Sequence, residues 1–154
     1  MKKLLTLSLS SLMLLGAYSC GNNGCDETRE TIFYADLRSS YKNRQINSMT
    51  VWYRDTLHTT YSNPTSFELV LPPDSGHYEV RIDMTVKDDS LNYQVSDTLG
   101  FRYESFPYLI NMECGCTVFF SINEVTSTEH FLKDITLINK DITNEEDVNL
   151  RIVY

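Results

Sequence analysis

The sequence predicts an all-β domain, built as an antiparallel β-sandwich of about seven or eight strands. The first observation is a series of short segments in which apolar and polar side chains alternate with a period of two, as in strands with one buried face. The second is the polar turn sequence that follows several of these segments. The third is that no segment of ten or more residues shows a convincing helical period. A closed barrel is the less favoured alternative.

The clearest strand runs from His77 to Lys87, where one parity is apolar and the other is polar or charged. Its apolar residues are Tyr78, Val80, Ile82, Met84 and Val86. In chain order, the apolar faces of the other predicted strands are Phe33, Ala35 and Leu37; Met49, Val51 and Tyr53; Phe67, Leu69 and Leu71; Leu99, Phe101 and Tyr103; Val118, Phe120 and Ile122; Ile135 and Leu137; and Val148, Leu150, Ile152 and Tyr154. The main turn sequences are Ser62–Pro64, Pro72–Gly76, Lys87–Ser90 and Lys140–Asn144. Short strands with such turns favour an immunoglobulin-like sandwich.

The start of the chain has the three parts of a secretory signal. Lys2 and Lys3 form the basic part, an apolar run extends from Leu4 to Leu15, and Cys20 follows a small residue. The run is too short to cross a bilayer as a helix, which needs about 20 residues. In lipoprotein processing the cysteine thiol receives a diacylglycerol, and cleavage makes that cysteine the new N-terminus. We therefore predict that Cys20 carries palmitate-type acyl chains.

This prediction divides the chain into three parts. Residues 1–19 are the lipoprotein signal peptide, residues 20–30 are the lipidated cysteine with a short tether, and residues 31–154 are the β-sandwich domain. The length after the signal suits one domain. Because two or more acyl chains give stable anchoring, the first expected partner is the membrane.

The charge of the exported chain is strongly acidic. The full chain has 13 basic and 21 acidic residues, and removing Lys2 and Lys3 leaves a net charge of about −10. An acidic surface repels nucleic acid and anionic lipid headgroups. We therefore expect no nucleic-acid partner.

Three thiols remain once Cys20 is lipidated: Cys25, Cys114 and Cys116. The compartments that receive exported proteins permit disulfides. Because the number of remaining thiols is odd, one of them is left without a disulfide partner. Cys114 and Cys116 lie two residues apart in a predicted strand, so a bridge between them would be strained. Both thiols are expected to face the core, because they share the parity of that strand's apolar face. We predict a bridge from Cys25 to Cys114, with Cys116 as the second choice of partner.

No catalytic, metal or cofactor motif is present in the sequence. His58, His77 and His130 lie in or beside predicted turns, where solvated histidines are the usual case. The acidic clusters lack the ligand spacing of a calcium loop. The three cysteines lack a fourth metal ligand at a fixed spacing. Trp52 lies on the polar parity of its strand, so we expect it to be partly exposed.

Several short motifs carry a resemblance to a known group of proteins. They are Cys20 after Ser19, the second cysteine Cys25, the late pair Cys114-Gly115, and the tail stretches Ile135–Asn139 and Asn149–Ile152. In these the chain resembles an uncharacterised lipoprotein family of Bacteroidota, a domain of unknown function with an all-β body. The resemblance covers most of the exported chain and implies no activity. The family's paired cysteines support Cys25 with Cys114, whereas Cys116 departs from the pattern.

The resemblance also implies a location and a modification. Surface-exposed lipoproteins of that lineage carry an acidic run directly after the lipidated cysteine, whereas Gly21–Gly24 stands there in this chain. We therefore expect an outer-membrane anchor that faces the periplasm. The lineage uses Asp-Ser/Thr-apolar sequences for O-glycosylation, which makes Thr56, Ser90 and Thr98 candidate acceptors.

These observations lead to two hypotheses about function. The first is a non-catalytic binding or assembly module at the cell envelope, which could serve an outer-membrane protein. The second is an enzyme, or a domain for a small ligand or glycan, whose site is assembled from scattered residues. The lack of catalytic motifs favours the first, although sandwiches host both classes.

Overall fold

The computed structural model describes residues 30–74 and 76–154, which form ten strands and no helix. The strands are β1 (Phe33–Arg38), β2 (Arg44–Tyr53), β3 (Thr56–Ser62), β4 (Ser66–Leu69), β5 (His77–Asp88), β6 (Leu91–Asn111), β7 (Gly115–Ser127), β8 (Asp134–Leu137), β9 (Asp141–Ile142) and β10 (Val148–Val153). The prediction of an all-β sandwich is confirmed, with ten strands in place of seven or eight. Within this part of the chain, no helix is long and apolar enough to cross a membrane.

The strands form two sheets. One has four strands in the order β4-β1-β10-β8, and the other has six in the order β3-β2-β5-β6-β7-β9. Among the described strands, β1 and β10 form the single parallel pair, and the other neighbours are antiparallel. The first and last strands are therefore adjacent at the centre of the four-stranded sheet.

The core lies between the two sheets. The alternation of β5 is confirmed residue by residue, since Tyr78, Val80, Ile82, Met84 and Val86 are all buried. Phe33 of β1 and Phe101 of β6 meet across the interface with ring centroids 5.1 Å apart in an edge-to-face arrangement. Such a pair adds about 0.5–1.5 kcal/mol beyond its buried area.

Two of the ten strands were not predicted. β3 alternates between exposed and half-buried side chains at the edge of the six-stranded sheet, so it carries little apolar signal. β9 has only two residues, which is too short for any period to show.

Candidate functional site: a projecting hairpin with an apolar tip

The hairpin of β6 and β7 extends beyond the strands beside it. β5 pairs with β6 as far as Arg102, and β9 pairs with β7 only at Phe120 and Ser121. Beyond these points, the described ladder consists of β6 and β7 alone, which stay paired as far as Asn111 and Gly115. A two-stranded ribbon is marginally stable in water. Two side-chain contacts tie this one to its flanks: the Ser105 hydroxyl donates to the Pro73 carbonyl at 2.6 Å, and the Thr31 and Thr117 hydroxyls lie 3.4 Å apart.

The turn at the end of the hairpin is built around Asn111. The side-chain oxygen of Asn111 accepts hydrogen bonds from the backbone N–H groups of Glu113 at 2.9 Å and Cys114 at 2.6 Å. Gly115 follows with φ +76°, as in a three-residue hairpin loop closed by a left-handed residue. A Cβ on Gly115 would meet nothing within 4 Å, so the backbone conformation alone calls for glycine here.

Three aromatic rings support the outer part of the hairpin. Tyr108 stacks on Phe119 with centroids 4.3 Å apart, and Phe106 meets the same ring edge-on at 6.3 Å. Phe119 is buried, although it is not part of the core cluster between the sheets. The rings therefore form a small apolar cluster of the hairpin itself.

The tip leaves large apolar side chains in solvent. Met112 is 90% exposed, Leu109 is 53% exposed and Tyr108 is 46% exposed. We call these three residues the apolar tip. The sequence from 103 to 119 contains Glu104 and Glu113 and no lysine or arginine. Large apolar side chains that are exposed together are typical of interaction surfaces.

Two of the four cysteines lie at this tip. Cys114 is buried and disulfide-bonded, and Cys116 is an exposed free thiol. The expectation that both thiols face the core is therefore wrong for Cys116. The hairpin extends beyond the sandwich at this point, so the alternation of residues along the strand no longer predicts which side chains are buried. Cys20 and Cys25 lie outside the described residues.

A buried polar centre surrounds Asp97 on β6, and the sequence predictions missed it. One carboxylate oxygen accepts bonds from the Thr128 hydroxyl at 2.6 Å and the His130 backbone N–H at 2.8 Å. The other accepts the backbone N–H groups of Phe131 at 2.8 Å and Leu132 at 2.9 Å. Asp97 occupies the same alternate positions of β6 as the buried residues Leu99, Phe101 and Tyr103. A charged residue at such a position was the feature of the sequence that could have revealed this centre.

Two opposing effects act on the pKa of Asp97. Burial raises it, but the hydrogen bonds from Thr128 and the three backbone N–H groups outweigh burial and leave the pKa below its usual value. The imidazole Nδ1 of His130 lies 3.3 Å from the carboxylate, with the ring itself 70% exposed. With both oxygens occupied by backbone and hydroxyl donors, Asp97 holds the loop after β7 in place.

The predicted glycosylation acceptors and the three histidines do not converge on one site. Thr56 and Ser90 are exposed, and Thr98 is half-buried beside Asp97. His58, His77 and His130 are all exposed and lie on separate elements. Among residues 30–74 and 76–154, no group of three or more histidine, cysteine or acidic side chains could hold a metal ion.

Trp52 is half-buried, with the guanidinium of Arg81 5.3 Å above its ring. Its indole Nε1 is buried and has no hydrogen-bond partner. The sequence predicted partial exposure of this side chain, and Trp52 is indeed half-buried.

A groove of about 510 Å³ lies near the start of β6, at the other end of that strand from the apolar tip. Its lining includes Tyr41, Arg44, Tyr93, Phe131, Lys133 and Tyr154. Phe131 stacks on Tyr154 at 5.3 Å, and the Arg44 guanidinium lies 4.1 Å from the centre of the Tyr41 ring. Arg44 is already bonded to Asp88, and Asp134 also lines the groove, so the aromatic faces suit a ring-bearing small ligand.

Comparisons with known proteins add one finding. The family model described as "Family of unknown function (DUF6452)" matches residues 68–154, which is more than half of the chain. This range contains the hairpin, the apolar tip and Asp97. Comparison with curated proteins and with solved structures found no match.

Proposed function

The chain belongs to a family of unknown function, DUF6452, and we propose that it is a lipid-anchored, non-catalytic binding or assembly module of the cell envelope. The observation that carries the proposal is the position of Cys114. This disulfide-bonded residue lies in the turn of a projecting hairpin whose end exposes apolar side chains. A bond at this point supports the hairpin where the sheet does not, and disulfides are typical of exported proteins.

The proposal pairs Cys114 with Cys25. Cys116 is a free thiol, which supports Cys114 as the bridged residue of the late pair. Five residue steps separate Cys20 from Cys25, a reach of no more than about 18 Å in a fully extended chain. A lipid on Cys20 would therefore hold the hairpin turn close to the bilayer.

Metabolic labelling with a radioactive fatty acid tests the anchor. The wild-type protein and a Cys116→Ala control should take up label, whereas Cys20→Ala should take up none. The control changes a cysteine outside the anchor, so it separates lipidation of Cys20 from acylation of an exposed thiol. Label on the Cys20→Ala protein would overturn the proposal.

Peptide mapping without reductant tests the bridge. The expected product is a linked peptide pair containing Cys25 and Cys114, with Cys116 recovered as an alkylated thiol. A linked pair containing Cys20 and Cys114 would contradict both the bridge and the anchor, since a lipidated cysteine has no thiol to oxidise.

We also propose that the protein is a Bacteroidota lipoprotein on the periplasmic side of the outer membrane, where an outer-membrane protein is the second partner. Protease added to intact cells should leave it uncut, and disruption of the outer membrane should expose it. Cleavage in intact cells would contradict this location.

O-glycosylation at Thr56 and Ser90 is part of the same proposal, because both side chains are exposed. Thr98 is a weaker acceptor in the folded chain, since the carboxylate of the preceding Asp97 is enclosed by its own donors. An intact mass equal to that of the lipidated polypeptide would exclude modification at all three positions.

The groove near the start of β6 supports a second candidate function, the binding of a small ligand or glycan. Tyr93 is half-buried in its wall, edge-on to Phe131 at 6.5 Å. In a screen of soluble glycans, a true ligand should raise the thermal stability of the wild type and not of Tyr93→Ala. Equal shifts for the two proteins would remove the groove as its site.

A further inference from the structure

We propose that the apolar tip, formed by Tyr108, Leu109 and Met112, inserts into the interfacial layer of the bilayer that holds the lipid of Cys20. The inference rests on the proposed anchor and adds a second point of membrane contact. The hairpin would then fix the orientation of the domain on the membrane, whereas a lipid alone would leave it free to swing.

The chemistry of the turn suits this environment. Met112, the first residue of the turn, is 90% exposed, and Leu109 near the end of β6 is 53% exposed. The backbone N–H groups of Glu113 and Cys114 already bond to Asn111, so insertion would not strand these two donors without partners. Tyr108 has an apolar ring and a polar hydroxyl, which is the side-chain type that concentrates at the level of lipid headgroups.

Charge identifies the kind of bilayer. The hairpin from 103 to 119 carries Glu104 and Glu113 and no basic residue, so it has nothing to attract anionic headgroups. The expected surface is therefore zwitterionic, and contact depends on buried apolar area in place of electrostatic attraction.

Other occupants fit less well. A second copy would carry the same strongly acidic surface, and the two would repel each other. A protein that adds a strand to β6 would meet Pro107, which has no N–H group to donate. The short tether between Cys20 and Cys25 favours the bilayer, because it would hold Cys25 within about 18 Å of the anchor. The disulfide adds about 6 Å, so Cys114 in this turn would lie within about 24 Å.

The length of β6 supplies a matched internal control. Leu91 begins the strand and is 71% exposed, so it resembles Met112 in chemistry and exposure. The 21 residues of β6 span up to about 70 Å at 3.3 Å per residue. A tip in the bilayer therefore leaves Leu91 far out in water.

Fluorescence quenching by brominated lipid tests the proposal on the full lipidated protein. Trp52 is first replaced by Phe, and a single tryptophan is then introduced as Met112→Trp or as Leu91→Trp. Each protein is reconstituted into phosphatidylcholine vesicles with bromine atoms on the acyl chains. The Met112→Trp protein should lose most of its emission relative to unbrominated vesicles, and the Leu91→Trp protein should lose none.

Flotation of the same vesicles separates the two proposals. If the Met112→Trp protein floats but its emission is not quenched, the anchor stands and tip insertion is wrong. If it does not float, both proposals fail. Equal quenching of the Met112→Trp and Leu91→Trp proteins would also overturn tip insertion, because the domain would then lie flat on the bilayer.

A lipid-free form of the protein tests the alternative of a second copy. Cys20→Ala is combined with Met112→Trp, and the emission of the tryptophan is recorded together with the oligomeric state in solution. A monomer with the emission of a solvated indole is expected. A dimer with blue-shifted emission would overturn tip insertion, because a second copy would then cover the tip.

Discussion

At the scale of single residues, Asp97 holds together the loop that follows β7. Its two oxygens receive three backbone N–H groups and the Thr128 hydroxyl, and the side chain is only 1% exposed. Glu129 in the same loop has φ +58°, an uncommon conformation for a residue with a side chain. The hydrogen bonds to this carboxylate therefore stabilise a loop conformation that includes one residue with an unfavourable φ.

We expect Asp97→Asn to lower the free energy of unfolding by about 2–4 kcal/mol, since the amide group would turn a donor toward backbone donors in a buried site. Urea denaturation measures the loss. The matched control is Asp83→Asn on β5, whose carboxylate is 42% exposed and accepts a hydrogen bond from Ser96. The control should change stability by less than about 0.5 kcal/mol, and equal losses would show that Asp97 has no special role.

The same carboxylate predicts a pH dependence. Because the pKa of Asp97 is lower in the folded chain, its contribution is fully present above the unfolded pKa of about 3.8. It is lost as the pH falls through the folded pKa. The stability difference between the wild type and Asp97→Asn should therefore shrink as the pH is lowered from about 5 toward 2 in denaturation curves. A difference that stays constant over this range would contradict the low pKa.

At the scale of elements, the turn between β2 and β3 shows a conformation that its residues do not favour. Arg54 and Asp55 connect the paired residues Tyr53 and Thr56 with φ values of +47° and +60°. Two left-handed residues in a two-residue loop form a type I′ turn, for which Asn-Gly is the preferred sequence. Since Arg-Asp carries no such signal, the sequence did not predict the turn or the strand after it.

Replacing Arg54-Asp55 by Asn-Gly should stabilise the protein by about 1 kcal/mol, because both residues then accept positive φ at lower cost. The midpoint of chemical denaturation should rise accordingly. Asp55 also lies 3.2 Å from Arg81, so Asp55→Asn is needed to measure the loss of that exposed ion pair, since asparagine also tolerates the positive φ of this position. No rise for Asn-Gly after this correction would mean that the turn is not strained.

The hairpin of β6 and β7 shows where prediction from the sequence ends. Alternation correctly identified Leu99, Phe101 and Tyr103 as core residues, since the second sheet covers that part of β6. Beyond Tyr103, six consecutive residues from 104 to 109 are exposed on both faces. Strand parity tells which side a residue takes but not whether another layer covers that side. Cys116 is exposed because the neighbouring strands β5 and β9 end before this part of the hairpin. The point at which those strands end also sets the length of the projection.

At the scale of the whole molecule, the polar and apolar features lie along the length of β6. The aromatic groove and Asp97 belong to its first part, and the apolar tip and Cys114 lie at its end. With the tip at the bilayer, the groove would face away from the membrane toward soluble ligands. The domain would then work as an upright module, with its anchored end separate from its binding end.

The disulfide at Cys114 should stabilise the whole domain, because it closes a long loop in the unfolded chain. If the partner is Cys25, the loop contains about 90 residues, and its loss should lower the free energy of unfolding by about 2–5 kcal/mol. Cys114→Ser should show this loss in urea, whereas Cys116→Ser should remain within about 0.5 kcal/mol of the wild type. Reductant supplies an independent measurement, since it should destabilise the wild type and Cys116→Ser and leave Cys114→Ser unchanged. A Cys114→Ser protein that still responds to reductant would show that the stabilising bridge lies elsewhere.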